Sequence, residues 1–330
     1  MRALRLILFT AGLAVTAWLV SRIGVGPVLL AFSQLSWRLA IVCVPFALVM
    51  AVDTYGFRYA FARTNVPFLT LFGARVAGEA LNVITPLASL GGEPMKAWLL
   101  RRDAGYRETV PALIIAKTTI TIAQALFLML GIAVAWSVLP RHSSFLTTMY
   151  GLLAVEVVAV AGFLGTQLGG LFARSGRLLK LVGGEGGAEH AIALDRALRS
   201  FYTGQPRRFA LSIACHLAGW ILGVVETLLV LYFLELPVSV ATALVIEAFG
   251  SAVRFASFMV PANLGTLEGA NVALFDALAM GGTAGMTFSL VRRARQIVWV
   301  LIGLVALALM RPVAQAEPVA IARPEAGARF

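Results

Sequence analysis

Glu93 and Glu268 each stand seven residues after a proline, in "PLASLGGE" (86–93) and "PANLGTLE" (261–268). Each octapeptide holds a glycine and follows a long apolar stretch. Proline removes a backbone donor and glycine frees the chain, so Pro86 with Gly92 and Pro261 with Gly265 predict two helix breaks with room for a ligand. A carboxylate beside such a break can hold a cationic headgroup, carry a proton, or accept from the free amides of a helix N-terminus. Glu93 precedes Pro94, which also suits a plain helix start with proline in its first turn. Lys96 follows on that same short helix.

Further polar side chains fall inside apolar runs, where a charge costs about 2.5–3.5 kcal/mol at the bilayer centre on insertion scales. Before the first break, Arg75, Glu79 and Asn82 follow i, i+4, i+7 and share a helix face; before the second, so do Glu247, Ser251 and Arg254. This spacing predicts ion pairs within each segment, Arg75 with Glu79 and Glu247 with Arg254. Such pairs either line a polar path or pin a helix in a bundle. Lys117, Thr121 and Gln124 form a third stripe. Thr and Gln are ordinary interhelical glue, whereas a lysine that deep points to a hydrated cavity or an anionic partner. Asp53, Glu156, His216 and Glu226 are scattered; His216 reads as a packing hydrogen-bonder, with Gly219 and Gly223 a small-residue contact surface on its helix. Cys43 and Cys215 show neither metal-ligand spacing nor a disulfide framework and read as buried packing.

The elements that must position these groups are transmembrane helices. Of 330 residues, 60% are hydrophobic and 13% charged, with a mean hydropathy of +0.88. Soluble chains run at about 45–50% apolar and about 25% charged, so this is an all-α polytopic membrane protein. Six apolar runs read as full spans, roughly 4–21, 38–57, 110–137, 146–170, 209–234 and 296–311. Segments 69–100 and 238–282 are apolar but interrupted by Gly, Pro and charge, and are expected to be re-entrant. Residues 1–311 read as one transmembrane domain and 312–330 as a disordered tail.

The net charge of +11 fits basic cytoplasmic loops rather than nucleic acid. Lys96, Arg101, Arg102 and Arg107 place 96–107 inside, and seven basic residues against three acids do the same for 171–208. The N-terminus is then cytoplasmic. Loops 137–145 and 235–238 read as outside, and Arg292, Arg293 and Arg295 as flanks of the last span. In "HAIALDRALRSFY", Ala191, Leu194, Leu198 and Phe201 share a face opposite Asp195, Arg196 and Arg199; this amphipathic helix can lie at the interface or on its own bundle. Three spans separate the two interrupted segments, so they are expected to form an inverted repeat around a midplane site.

Other chemistries lack their signatures. There is no G-x-x-x-x-G-K-[ST], H-E-x-x-H or G-x-S-x-G, and the three histidines lie far apart. No cofactor or metal is expected, and catalysis is not the leading expectation, although the Glu, Lys and Arg set could serve acid–base chemistry.

"NVITPLASLGGEPMKAWLL" (82–100) and "FMVPANLGTLEGANVALF" (258–275) together resemble the flippase-like transmembrane family named for the membrane region of lysylphosphatidylglycerol synthases. The resemblance covers roughly 4–311 and points to Pro86, Gly92, Glu93, Pro261, Gly265 and Glu268. It implies a bacterial inner-membrane protein that moves or presents lipids. The soluble aminoacyl-transfer domain of the full synthases has no counterpart in the 330 residues, and the size resembles the branch associated with hopanoid biosynthesis. The expected function is therefore lipid translocation, with membrane lipids as partners. The alternatives are a scaffold docking lipid-biosynthesis enzymes through 171–208 and an intramembrane lipid-modifying enzyme.

Overall fold

With no water at membrane depth, a spanning backbone must satisfy its own polar groups, and helix is the only open-chain solution. A computed structural model describes residues 36–63, 66–84, 91–140, 143–170 and 176–310, and every regular element among them is helical. In order these are α1 (Arg38–Ala60), α2 (Phe68–Ile84), α3 (Gly92–Leu100), α4 (Gly105–Val138), α5 (Ser144–Leu168), α6 (Gly176–Gly204), α7 (Pro206–Phe233), α8 (Val240–Ala256), α9 (Thr266–Ala277) and α10 (Gly282–Leu309), with a 3-10 turn at Pro261–Asn263. The run at 4–21, Pro86 and the tail 312–330 lie outside the described residues.

Four helices among the described residues, α1, α4, α5 and α7, are long and apolar enough to cross a membrane. The sixth expected run, 296–311, is part of the longer α10. Arg292, Arg293 and Arg295 therefore lie within a continuous helix rather than in a loop beside it. They sit mid-helix, and Arg293 and Arg295 are buried. They face carboxylates, Arg292 and Arg295 meeting Glu226 and Arg293 meeting Glu268.

The interrupted segment 69–100 forms a helical hairpin. The Gly92 N–H donates to Asn82 Oδ1 at 2.7 Å, and the Lys96 stem lies over Gly78, so α3 runs back along α2. A Cβ on Gly92 would stand 1.9 Å from the Gly78 carbonyl oxygen. Glycine is the residue that permits this approach. The segment 238–282 instead breaks between α8 and α9, and α9 turns back onto α10, where Asn271 Nδ2 donates to Ser289 Oγ at 2.8 Å.

The two halves exchange neighbours. α1 packs along α7, α2 packs on α10, and α8 packs on α4. Both exchanged contacts close over a glycine: Gly303 faces Ala80 and the Val76 carbonyl, and Gly131 faces Ala248. Small residues let helix backbones approach where lipid offers no hydrophobic drive.

Apolar packing falls into two clusters. One gathers Phe127, Met149, Leu231, Phe249 and Phe275; the other gathers Phe57, Leu81, Leu100, Ile115 and Phe201. α6 joins the second by burying Ala191, Leu198 and Phe201, so it docks on the bundle. Asp195, expected on its polar face, is buried against Gly170 at the end of α5. Between the clusters lies a polar layer, marked on α4 by Lys117–Gln124 and on α10 by Arg292–Gln296.

Gly92→Ala is expected to destabilise the protein by about 1–3 kcal/mol, the usual range for overpacking. Gly162→Ala, whose new Cβ would meet no atom within 4 Å, is expected to be neutral or slightly stabilising. Thermal unfolding of the two variants in detergent compares them.

Candidate functional site

The polar layer contains three charge clusters, each spanning helices. In the first, Asp53 of α1 accepts from Arg75 Nη2 of α2 at 2.7 Å and meets His216 Nδ1 of α7 at 2.7 Å. Two glycines make the room. A Cβ on Gly56 would meet the His216 ring at 2.7 Å, and one on Gly219 would meet Asp53 Oδ1 at 2.8 Å. The expected Arg75–Glu79 pair does not form. Helical spacing allows it, but Asp53 is the buried carboxylate opposite and takes the guanidinium.

The second cluster centres on Glu247, which is 2% exposed. It accepts from Thr227 Oγ1 at 2.9 Å and from Arg254 Nη2 at 2.9 Å, and Arg292 grips both of its oxygens. Arg292 also reaches Glu226 at 3.5 Å, and Arg295 stands 3.1 Å from the same carboxylate. A bidentate guanidinium suits this bridging because its fork matches carboxylate geometry.

The third cluster ties the second break. Ala262, Asn263 and Gly265 have φ of 52°, 51° and 80°, and a left-handed non-glycine residue costs about 1–3 kcal/mol. Arg293 holds this turn. It donates to the Ala262 carbonyl at 2.7 Å, the Asn263 carbonyl at 3.0 Å, Gln296 Oε1 at 2.8 Å and Glu268 Oε1 at 2.6 Å. The other Glu268 oxygen accepts from the Gly265 N–H at 2.8 Å, so Glu268 starts α9 as a capping carboxylate. Glu93 has a simpler place in the first turn of α3, paired with Lys96 at 2.8 Å.

A cavity of about 800 Å³ opens inside this layer. Its wall brings together Arg75, Glu79, Lys117, Gln124, Glu247, Arg254 and Glu268. Gly92, Glu93, Lys96 and Gly265 are not in the wall, although Glu93 lies within electrostatic reach of Lys117. Gln124 is committed to packing, donating to the Ser251 carbonyl at 2.9 Å. Lys117 and Glu79 differ from the rest. Neither side chain makes a hydrogen bond or close ion pair among the described residues, and both line the cavity. They are its uncommitted charges.

Sequence reasoning missed the roles of Asp53, Glu226, Arg292, Arg293 and Arg295. One signal was available. Lys117 and Arg292 each stand 24 residues after the glutamate of the preceding break, and both face the cavity. Extending the repeat past its octapeptides would have placed Arg292 inside.

Removing Glu247 leaves Arg254 and Arg292 without their carboxylate. Breaking a buried pair from one side costs about 3–5 kcal/mol, so Glu247→Ala is expected to lower the thermal unfolding temperature sharply. Glu247→Gln keeps the side chain's shape and one of its two acceptor oxygens and should cost less. Equal losses in the two variants would show that charge pairing adds nothing beyond the hydrogen bonds.

Neither a curated protein nor a solved structure matches the chain significantly. One family model does, over residues 3–304, and it therefore takes in both helix breaks and every charge of the polar layer. On that match the chain belongs to the family of the lysylphosphatidylglycerol synthase TM region.

Proposed function

We propose that this protein translocates a membrane lipid, with the headgroup passing through the polar cavity while the acyl tails stay in the bilayer. The observation that carries this reading is a cavity of about 800 Å³ at the meeting of two broken segments, with Lys117 and Glu79 left uncommitted in its wall. A buried charge without a partner is expensive, and a passing polar headgroup is the partner that would repay it. The outer surface suits such a path: Val157 and Val158 expose apolar side chains along α5 outside the cavity, and lipid tails are the solvent they fit.

In this reading the hairpin α2–α3 and the break before α9 are re-entrant halves of an inverted repeat, supported by the exchange of neighbours between α2–α10 and α8–α4. The protein sits in a bacterial inner membrane with its N-terminus in the cytoplasm, as the basic 96–107 and 171–208 segments favour. Without a Walker-type motif in the sequence, translocation is bidirectional scrambling or is driven by an ion gradient. The scaffold reading is weaker because Leu198 and Phe201 of α6 are packed on the bundle and unavailable to a partner enzyme.

Fluorescent-lipid translocation in proteoliposomes tests the proposal. Wild type is expected to move lipid, and Lys117→Gln to slow it by about tenfold or more, the scale of one lost charge-assisted hydrogen bond. Thermal stability is expected to change little, because the Lys117 side chain makes no hydrogen bond or close ion pair among the described residues. Failure of wild type to move any lipid of a broad panel would sink the reading.

A further inference from the structure

Around Glu226 and Glu247 the cavity wall is unbalanced in charge and in hydrogen bonding. Arg254, Arg292 and Arg295 face these two carboxylates, three cations against two anions. The groups left over on this wall are mostly donors. Arg295 Nη1, Trp220 Nε1 and Trp299 Nε1 are buried and have no hydrogen-bond partner among the described residues, and all three side chains line the cavity. They fall in two groups joined through the Glu247–Arg292–Glu226 ion pairs. Arg254 lies 5.8 Å from the Trp220 ring centre, Arg295 lies 4.0 Å from that of Phe46, and Phe46 meets Trp299 edge-on at 5.2 Å.

A buried donor without an acceptor costs about 1–3 kcal/mol. A patch with several such donors and one surplus positive charge is complementary to a group that accepts only. Phosphate oxygens have that character: they carry charge, donate nothing when ionised, and take guanidinium forks side-on. A cationic head would add to the surplus positive charge, and an uncharged polyol head, although its hydroxyl oxygens can accept, would bring no negative charge to answer it. Arg254 is the most accessible of the three arginines, its side chain 28% exposed against 15% for Arg292 and 10% for Arg295. It can turn toward a ligand while Arg292 and Thr227 continue to hold Glu247.

We infer that the Arg254–Arg295–Trp220–Trp299 wall is a binding site for a phosphate group. The inference deepens the translocation reading and rests on it for its preferred source of phosphate, a lipid head.

Tryptophan emission of the full chain in detergent reads the site through Trp220 and Trp299. The probes are dioctanoyl phosphatidylglycerol, inorganic phosphate and dioctanoylglycerol, which has no phosphate. Saturable change with phosphatidylglycerol and none with dioctanoylglycerol is expected. Saturation by phosphatidylglycerol alone assigns the phosphate to a lipid, and saturation by inorganic phosphate at similar concentration assigns a soluble source; both support the site. Arg254→Gln is expected to weaken binding about tenfold or more, Arg254→Lys to restore part of it, and Arg196→Gln on the exposed side of α6 to change nothing. An equal response to dioctanoylglycerol, or full binding by a folded Arg254→Gln, overturns the inference. Translocation of phosphate-free lipids without phosphate binding would remove this site and leave the transport reading standing. Phosphate binding with no translocation would do the reverse.

Discussion

Charge buried at membrane depth must be matched, and in this protein the matching organises the bundle. An isolated ion there costs several kcal/mol, and an ion pair recovers that only with good geometry and full hydrogen bonding. Asp53, Glu226, Glu247 and Glu268 each meet an arginine from another helix. The pairs tie α1 to α2, α7 and α8 to α10, and α9 to α10. Apolar side chains alone would not select these partners, since lipid is as apolar as leucine. The polar layer gives the helices their register, and the two apolar clusters close above and below it.

Glycine is what allows the layer to be dense. Gly56 and Gly219 make space for His216 and Asp53, and Gly223 stands 3.5 Å from Glu247 at its virtual Cβ. Gly78 and Gly92 bring α2 and α3 into backbone contact. The two breaks reach similar outcomes by different means. The first is closed by the Asn82 amide on Gly92, and the second by Arg293 holding two carbonyls of a left-handed turn.

Much of the fold was legible because spans are long and their apolar content is unmistakable; the runs at 38–57, 110–137, 146–170 and 209–234 lie within or closely overlap α1, α4, α5 and α7. The breaks were legible from Pro and Gly, and Glu247 does meet Arg254 as spacing suggests. Partner choice across helices was not. Arg75 has a carboxylate four residues away and another on α1, and only the packing of α1 on α2 decides for Asp53. The partners of the Arg292–Arg295 run were hidden for a related reason. Positive charge near the end of an apolar run has the same appearance whether it faces the cytoplasm or a buried glutamate. Asp195 shows the limit of face assignment, since a helix docked on a bundle can bury a polar residue that an interfacial helix would expose.

The two kinds of cation in the layer divide the work by chemistry. Arginine does the fixing: Arg292 grips two carboxylates and Arg293 reaches four acceptors, which a planar fork with five donors can do and an ammonium cannot. The uncommitted position is a lysine, Lys117, on a flexible stem facing the cavity. A flexible point charge can follow a moving headgroup without dismantling the pairs that hold the helices. An arginine at 117 would have Glu79 and Glu93 within electrostatic reach, and its five donors would favour fixing them, which is at odds with the headgroup passage we propose. A site that must let its ligand leave is better served by lysine, and the rigid frame that must stay put is better served by arginine.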